Sequence, residues 1–143
     1  MCYEGHIQTQ SLRAGVIEYL EEAKALGLKV AIASSSEYKW VSYYLKTHQI
    51  HHYFDAIATF DDVERKKPCP DVYSKVLEKL NVQEKEAIAF EDSLNGLKAA
   101  KNAGLKCVVV PNSITKNLPF EQYDRRLNSM ADTSLQDIIK ADN

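Results

Sequence analysis

Apolar positions along the chain follow two rhythms that alternate. In "SLRAGVIEYLEEAKALG" (11–27), Val16, Leu20, Ala23 and Leu26 or Gly27 fall on one helical face with charges opposite, which predicts an amphipathic helix that Gly27 stops. "LKVAIA" (28–33) is a short apolar run, the pattern of a buried strand. A helix is predicted next over 36–48, with Trp40, Val41, Tyr44 and Leu45 inward, and a strand over 54–60. A helix over 70–81 turns Val72, Val76, Leu77 and Leu80 inward. Strand, helix and strand follow over 86–90, 93–104 and 106–110. Beyond Pro111 the pattern gives a loop, a short strand near 127–130 and a last helix over 133–140. Strands that read as unbroken apolar runs between helices predict an α/β fold, with a parallel sheet covered on both faces.

In open sheets of this kind, ligands sit beyond the carboxyl ends of the strands. The polar residues at those ends are therefore the candidates for chemistry. Ser34, Ser35 and Ser36 follow the first strand, "DDVERKKPCP" follows the second, and Glu91 and Asp92 close the third. Hydroxyls and a lysine suit phosphate oxygens, and paired carboxylates suit Mg²⁺, which takes oxygen ligands. Topology and chemistry together thus point to a site for phosphate and magnesium.

Composition narrows the field. The 143 residues suit a single domain with a core of its own, and 45% hydrophobic with 27% charged residues is ordinary for a globular protein. A net charge of −2, with both signs interspersed, gives no nucleic-acid footprint. No apolar run approaches the ~20 residues that span a bilayer, and "MCYEGHIQTQ" lacks the basic start and apolar stretch of a signal peptide. Cys2, Cys69 and Cys107 are odd in number and far apart, which fits neither a disulfide framework nor a zinc site and suggests a reducing, cytoplasmic home.

The ordered set Ser34, Lys67 before Pro68, and Glu91-Asp92 in "FEDSLNG" resembles motifs two, three and four of the haloacid dehalogenase-like hydrolases. The β-phosphoglucomutase-like branch of sugar-phosphate phosphatases and mutases is the nearest in appearance. The spacings agree, 33 residues from Ser34 to Lys67 and 24 from Lys67 to Glu91, and the likeness runs from about residue 12 to the C-terminus. The resemblance implies a Rossmann-like three-layer αβα sandwich and a small phosphorylated substrate, with a sugar phosphate first among candidates. It implies that Ser34 bonds the transferring phosphoryl group, that Lys67 neutralises it, and that Ser35 and Ser36 add phosphate contacts. Glu91 and Asp92 would hold Mg²⁺.

Plainer roles exist for each residue. Ser34 or Ser36 could cap the helix beginning near Glu37. Lys67 could be solvated like Arg65 and Lys66 beside it. Asp92 or Ser93 could cap the following helix, and the two acids could complement its dipole. His48, His51 and His52 lack a further ligand at metal spacing and read as a surface loop. Trp40, Tyr43 and Tyr44 read as packing.

The family's nucleophile is an aspartate in a DxD motif on a first strand, and this sequence contains no DxD. By the resemblance, the helical cap that relatives insert after that strand is also absent, and residues 1–11 correspond to a hinge returning from it. The expectation is a fragment with an incomplete sheet, inactive alone, whose centre is open to a missing N-terminal segment, to another chain, or to closure of the two halves. "CYEGHIQ" reads as a poor substitute strand, interrupted by Gly5 and His6. Phosphomutase, phosphate-receiver and non-catalytic binding roles stand as alternatives to the phosphatase; a receiver places its acids first and its lysine last, the reverse of the order here.

Overall fold

The structure, a computed structural model, describes residues 2–3 and 14–141, the first two by their backbone. The described residues form one parallel sheet: β1 (Cys2–Tyr3), β2 (Ala31–Ala33), β3 (Ala56–Ala58), β4 (Ile88–Glu91), β5 (Lys106–Val109) and β6 (Arg125–Arg126), in the order β3-β2-β1-β4-β5-β6. Five α-helices flank it: α1 (Val16–Ala25), α2 (Tyr38–Thr47), α3 (Asp71–Leu80), α4 (Leu94–Asn102) and α5 (Leu135–Ala141). None is long and apolar enough to cross a membrane.

Alternation along the strands sorts the core into two layers of different grain. Ile32, Phe90 and Val108 face one side and pack with Val16, Tyr19 and Leu20 of α1, Val41, Tyr44 and Leu45 of α2, and Leu135 and Ile138 of α5. Ala31, Ala33, Ala58, Ala89 and Cys107 face the other, against Val72, Tyr73 and Val76 of α3 and Leu97 and Ala100 of α4. The expected covering of both faces is thus observed, with a large-residue layer on one side and a small-residue layer on the other.

The centre of the sheet is where the structure adds to the expectation. Cys2–Tyr3 lies between β2 and β4, where the sequence reading expects an open centre: Cys2 pairs with Ala31 and Ala89, and Tyr3 with Ile32 and Phe90. The chain's own start therefore supplies two residues of ladder to amides that would otherwise lie open on both inner edges. Residues 1 and 4–11 of the expected hinge lie outside the described residues.

Several boundaries and faces differ from the pattern. Gly27, at φ 74°, follows the end of α1 and donates to the Lys24 carbonyl at 3.1 Å, while Leu28 N–H bonds the Ala23 carbonyl at 2.9 Å. This is a Schellman stop, and it leaves Leu26 exposed rather than inward. On α2 only Val41, Tyr44 and Leu45 turn inward; Trp40 and Tyr43 are 48% and 61% exposed, so the packing role expected of them is wrong. One residue on a helix is a ~100° rotation, which carries Trp40 off the stripe that Val41 begins. The last short strand is Arg125–Arg126, not 127–130, because Ser129 starts a capped 3-10 turn over Met130–Asp132.

Two aspartates bolt the sheet at matching points. Asp55 Oδ2 accepts from Val30 N at 2.7 Å, just before β2, and from Lys24 Nζ at 2.6 Å, in the last turn of α1. Asp124 Oδ2 accepts from Cys107 N of β5 at 2.7 Å and from Lys101 Nζ, in the last turn of α4, at 2.8 Å. Each carboxylate thus fixes where a helix hands over to an edge pair of strands. The hydrogen bond from Lys24, then that from Val30, holds the Asp55 carboxyl below its usual 3.8. At Asp124 partial burial pushes up, but the Lys101 and Cys107 donors outweigh it and the carboxyl is again lowered. A depressed folded value contributes stability above the ordinary carboxylate range, lost as pH falls through the folded value. Urea denaturation should therefore find Asp55→Asn and Asp124→Asn less stable than the parent at pH 7, with the deficit shrinking on acidification to about pH 3. A deficit that is constant with pH would show that charge plays no part.

Candidate active site

Four segments meet at the carboxyl end of the sheet. Ser34 leaves β2 fully buried, tied by its N–H to the Ala58 carbonyl at 3.0 Å. Its Oγ accepts from Ser36 N at 3.0 Å, and Ser35 Oγ accepts from Lys67 N at 3.3 Å. The serine turn and the lysine loop are thus stitched together. Helix α2 is not capped by Ser34 or Ser36. Its N-cap is Glu37, without a side-chain cap bond, and the Tyr38 N–H is taken by Asp61 Oδ2 at 2.8 Å from the loop after β3.

Lys67 and Glu91 form the centre. Lys67 Nζ lies 2.6 Å from Glu91 Oε2 and 2.9 Å from the Ala33 carbonyl, so one ammonium bridges the ends of β2 and β4 across β1. The two side chains are 5% and 0% exposed. Burying two charges is tolerated only with good geometry and further hydrogen bonds. Tyr73 on α3 supplies one, its phenol donating to Glu91 Oε2, while its ring lies 5.0 Å from the ammonium. On the remaining side the carboxylate rests on the first turn of α4. A Cβ at Gly96 would stand 1.7 Å from Glu91 Oε1, so only glycine leaves room for the acid. Burial, then the Glu91 charge, pushes the nearby Cys107 thiol far up, leaving it unreactive. Lys66, by contrast, is exposed over the Phe60 ring, and Arg65 pairs with Asp71.

Asp92 follows immediately, 7% exposed. The cap of α4 is Ser93, whose Oγ accepts from Gly96 N at 3.0 Å, so Asp92 is not used for capping. Asp92 Oδ2 instead accepts from Asn112 Nδ2 at 3.2 Å, from the loop after β5. Among the described residues no group of three or more His, Cys, Asp and Glu side chains could cage a metal, the histidines near residue 50 included. Two carboxylates are nonetheless a fitting set for Mg²⁺, which commonly takes one or two protein carboxylates and completes its shell with water and phosphate oxygens.

Ser35, Lys67 and Glu91 are therefore joined by hydrogen bonds, Ser34 precedes Ser35 in the turn with the Ser36 N–H on its hydroxyl, and Asp92 follows Glu91. Glu91, however, directs Oε2 to Lys67 and Tyr73. The sequence reading missed Tyr73, Gly96 and Asn112. Tyr73 carried a signal, since a tyrosine beside Val72 and Val76 on a buried face must find a partner for its hydroxyl. Gly96 had one as well: it stands one helical turn after Asp92, where glycine weakens a helix unless something needs the space. Asn112 was marked only by its place at the end of the next strand.

A parallel α/β sheet with serine, lysine and paired acids in this order around its carboxyl rim defines a class of hydrolase core. Residues 2–110 match the haloacid dehalogenase-like hydrolases, and the chain belongs to that family. It is 51% identical over 129 residues to YhcW of Bacillus subtilis, covering 90% of this chain and 59% of that protein. It is 33% identical over 133 residues to hexitol phosphatase B of Escherichia coli, covering 92% and 60%. The crystal structure of CbbY from Rhodobacter sphaeroides in complex with phosphate superposes with a TM-score of 0.83 at 40% identity, over 87% of this chain and 57% of that one. A second CbbY structure, with the same agreement, holds xylulose-(1,5)bisphosphate. The chain thus spans a little over half the length of these relatives.

Two substitutions test the buried centre on this chain. Lys67→Ala should destabilise by ~3–5 kcal/mol, because it strands a buried carboxylate. Lys66→Ala should stay within about 0.5 kcal/mol. Equal losses in urea titration would remove the distinction between the two lysines. Gly96→Ala should be destabilising by ~1–3 kcal/mol although alanine is the better helix former, since the methyl group displaces Glu91. Unchanged or raised stability would mean that the carboxylate is not seated on this turn.

Proposed function

We propose that this chain is the charge-stabilising part of a phosphatase core acting on a small phosphorylated metabolite, with sugar phosphates as the substrate class. The observation that carries the reading is the Lys67 ammonium held across the end of β1 by the Ala33 carbonyl and Glu91. A fixed cation at the carboxyl rim, beside buried Ser34 and next to Asp92, is what a transferring phosphoryl group requires. The names of the relatives add sugar alcohol and sugar bisphosphate ligands.

In this reading Ser34 donates its hydroxyl to a phosphoryl oxygen, and Ser35 and Ser36 hold the turn that presents it. Lys67 offsets the charge on the phosphoryl oxygens. Asp92, with Glu91 beside it, would hold Mg²⁺, which would supply further positive charge to the phosphate oxygens. Asn112 holds the Asp92 carboxylate through Oδ2. The nucleophile is an aspartate carried by a longer strand in the place of β1. Its carboxylate attacks phosphorus, the ester P–O bond breaks, and the leaving oxygen takes a proton from solvent. Water then cleaves the aspartyl-phosphate, releasing inorganic phosphate, restoring the carboxylate and returning a proton to solvent. The sequence holds no DxD, so the chain alone is inactive in this reading.

The test is complementation. The purified chain should not turn over p-nitrophenyl phosphate with Mg²⁺. Addition of the part of YhcW that lies outside the region matched by this chain should restore turnover, and an Asp→Asn change at the nucleophile it supplies should abolish it. In the restored enzyme Lys67→Ala should lower kcat by ~10²–10³. Asp92→Asn should weaken Mg²⁺ binding, read by calorimetry, by about tenfold or more. Turnover by the chain alone, or unchanged Mg²⁺ affinity in Asp92→Asn, would overturn the respective assignment.

A further inference from the structure

Beyond Asp92, on the same rim, the loop after β5 closes a second concavity. A cavity of about 230 Å³ is lined by Pro111, Asn112, Ser113, Lys116, Arg126 and Asn128. Its lining has two cations, a hydroxyl and two side-chain amides, and no carboxylate. Among the described residues neither Lys116 nor Arg126 pairs with an acid. Both residues are exposed, with N–H donors to offer an anion.

The walls are set in advance. Arg126 lies on β6, where its backbone pairs with Val109. Its Nη2 donates to the Lys116 carbonyl at 2.8 Å, and its guanidinium lies 5.5 Å from the Phe120 ring centroid. A guanidinium has five N–H donors, so one bond to the loop leaves others for a ligand. Asn112 holds the loop from inside. Its Oδ1 accepts from Ile114 N at 2.8 Å and Thr115 N at 2.9 Å, and its carbonyl accepts from Lys116 N at 2.9 Å. Its Nδ2 meanwhile reaches Asp92.

We propose that this cavity is a second phosphate subsite, which binds a phosphate-type anion through Lys116 and Arg126 and is joined to Asp92 by Asn112. Guanidinium and ammonium donors suit a phosphate, which carries more charge and more acceptor oxygens than a carboxylate. The ligand class rests on the phosphoryl-transfer reading of the neighbouring rim; the site itself rests on its own residues.

The experiment titrates inorganic phosphate into the ¹⁵N-labelled chain at constant ionic strength and follows amide shifts. Saturable shifts are expected at 112–118 and 126–128, and a Lys116→Ala/Arg126→Ala double variant should weaken that response by about tenfold or more while sparing shifts at 34–36. Fructose 1,6-bisphosphate is the second arm. Binding about tenfold tighter than phosphate assigns the subsite to the far end of a substrate, and equal binding assigns it to free anion; both uphold it. Shifts confined to 34–36 and 67 overturn this proposal and leave the proposed function standing. Shifts confined to the loop uphold it and count against the phosphate contacts of the proposed function. Loop shifts reproduced by chloride alone reduce the effect to screening and overturn it.

Discussion

The Lys67 ammonium and the Glu91 carboxylate neutralise each other at a depth where either alone would be strongly unfavourable. That mutual need recruits the surroundings. The Ala33 carbonyl ends β2 at the ammonium, the Tyr73 hydroxyl brings α3 to the carboxylate, and the bare Cα of Gly96 lets α4 close over it. Two strands, two helices and the loop before Pro68 therefore share one fixed point. A surface lysine would be disordered among rotamers; this one has a single address, set by the Ala33 carbonyl, the Glu91 carboxylate and the Tyr73 ring.

Charge also organises the opposite end of the sheet, by different means. Asp55 and Asp124 each hold one backbone N–H at a strand start and one lysine from a helix end. These pairs are partly exposed, so solvent screens them and each contributes less than a buried pair would. The buried pair fixes the functional rim, and the exposed pairs fix the frame that carries it.

The alternation of apolar runs and helical stripes was enough to read the parallel sheet, because strands covered on both faces leave an unmistakable apolar signature. The order of Ser34, Lys67, Glu91 and Asp92 was legible for a similar reason, since Ser34, Glu91 and Asp92 sit at carboxyl ends of strands and Lys67 lies in the loop that leaves one. What escaped was anything decided by contact. Trp40 differs from Val41 by one step around a helix, and only the position of the neighbouring layer says which is inside. The gap at the centre of the sheet was legible as a gap, but not its two-residue filling, because Cys2 and Tyr3 carry no apolar run. Tyr73 was marked by its buried face but not by its partner, and the Asn112 amide contact has no periodicity to betray it. The three serines could be placed, yet their division of labour depends on Asp61, which caps α2 from a distant part of the chain.

The small-residue face of the sheet reaches further than packing. Ala31, Ala33, Ala58 and Ala89 let α3 and α4 lie close to the strands, and that closeness is what brings a phenol on one helix and a glycine on the other to the same carboxylate. A single added methylene beneath α3 would lift the whole helix, not one side chain. Positions that never meet a ligand are thereby drawn into the tolerances of the rim. The plainest side chains in the sheet are the shims on which its chemistry is levelled, and drift at an alanine would be felt first at a lysine.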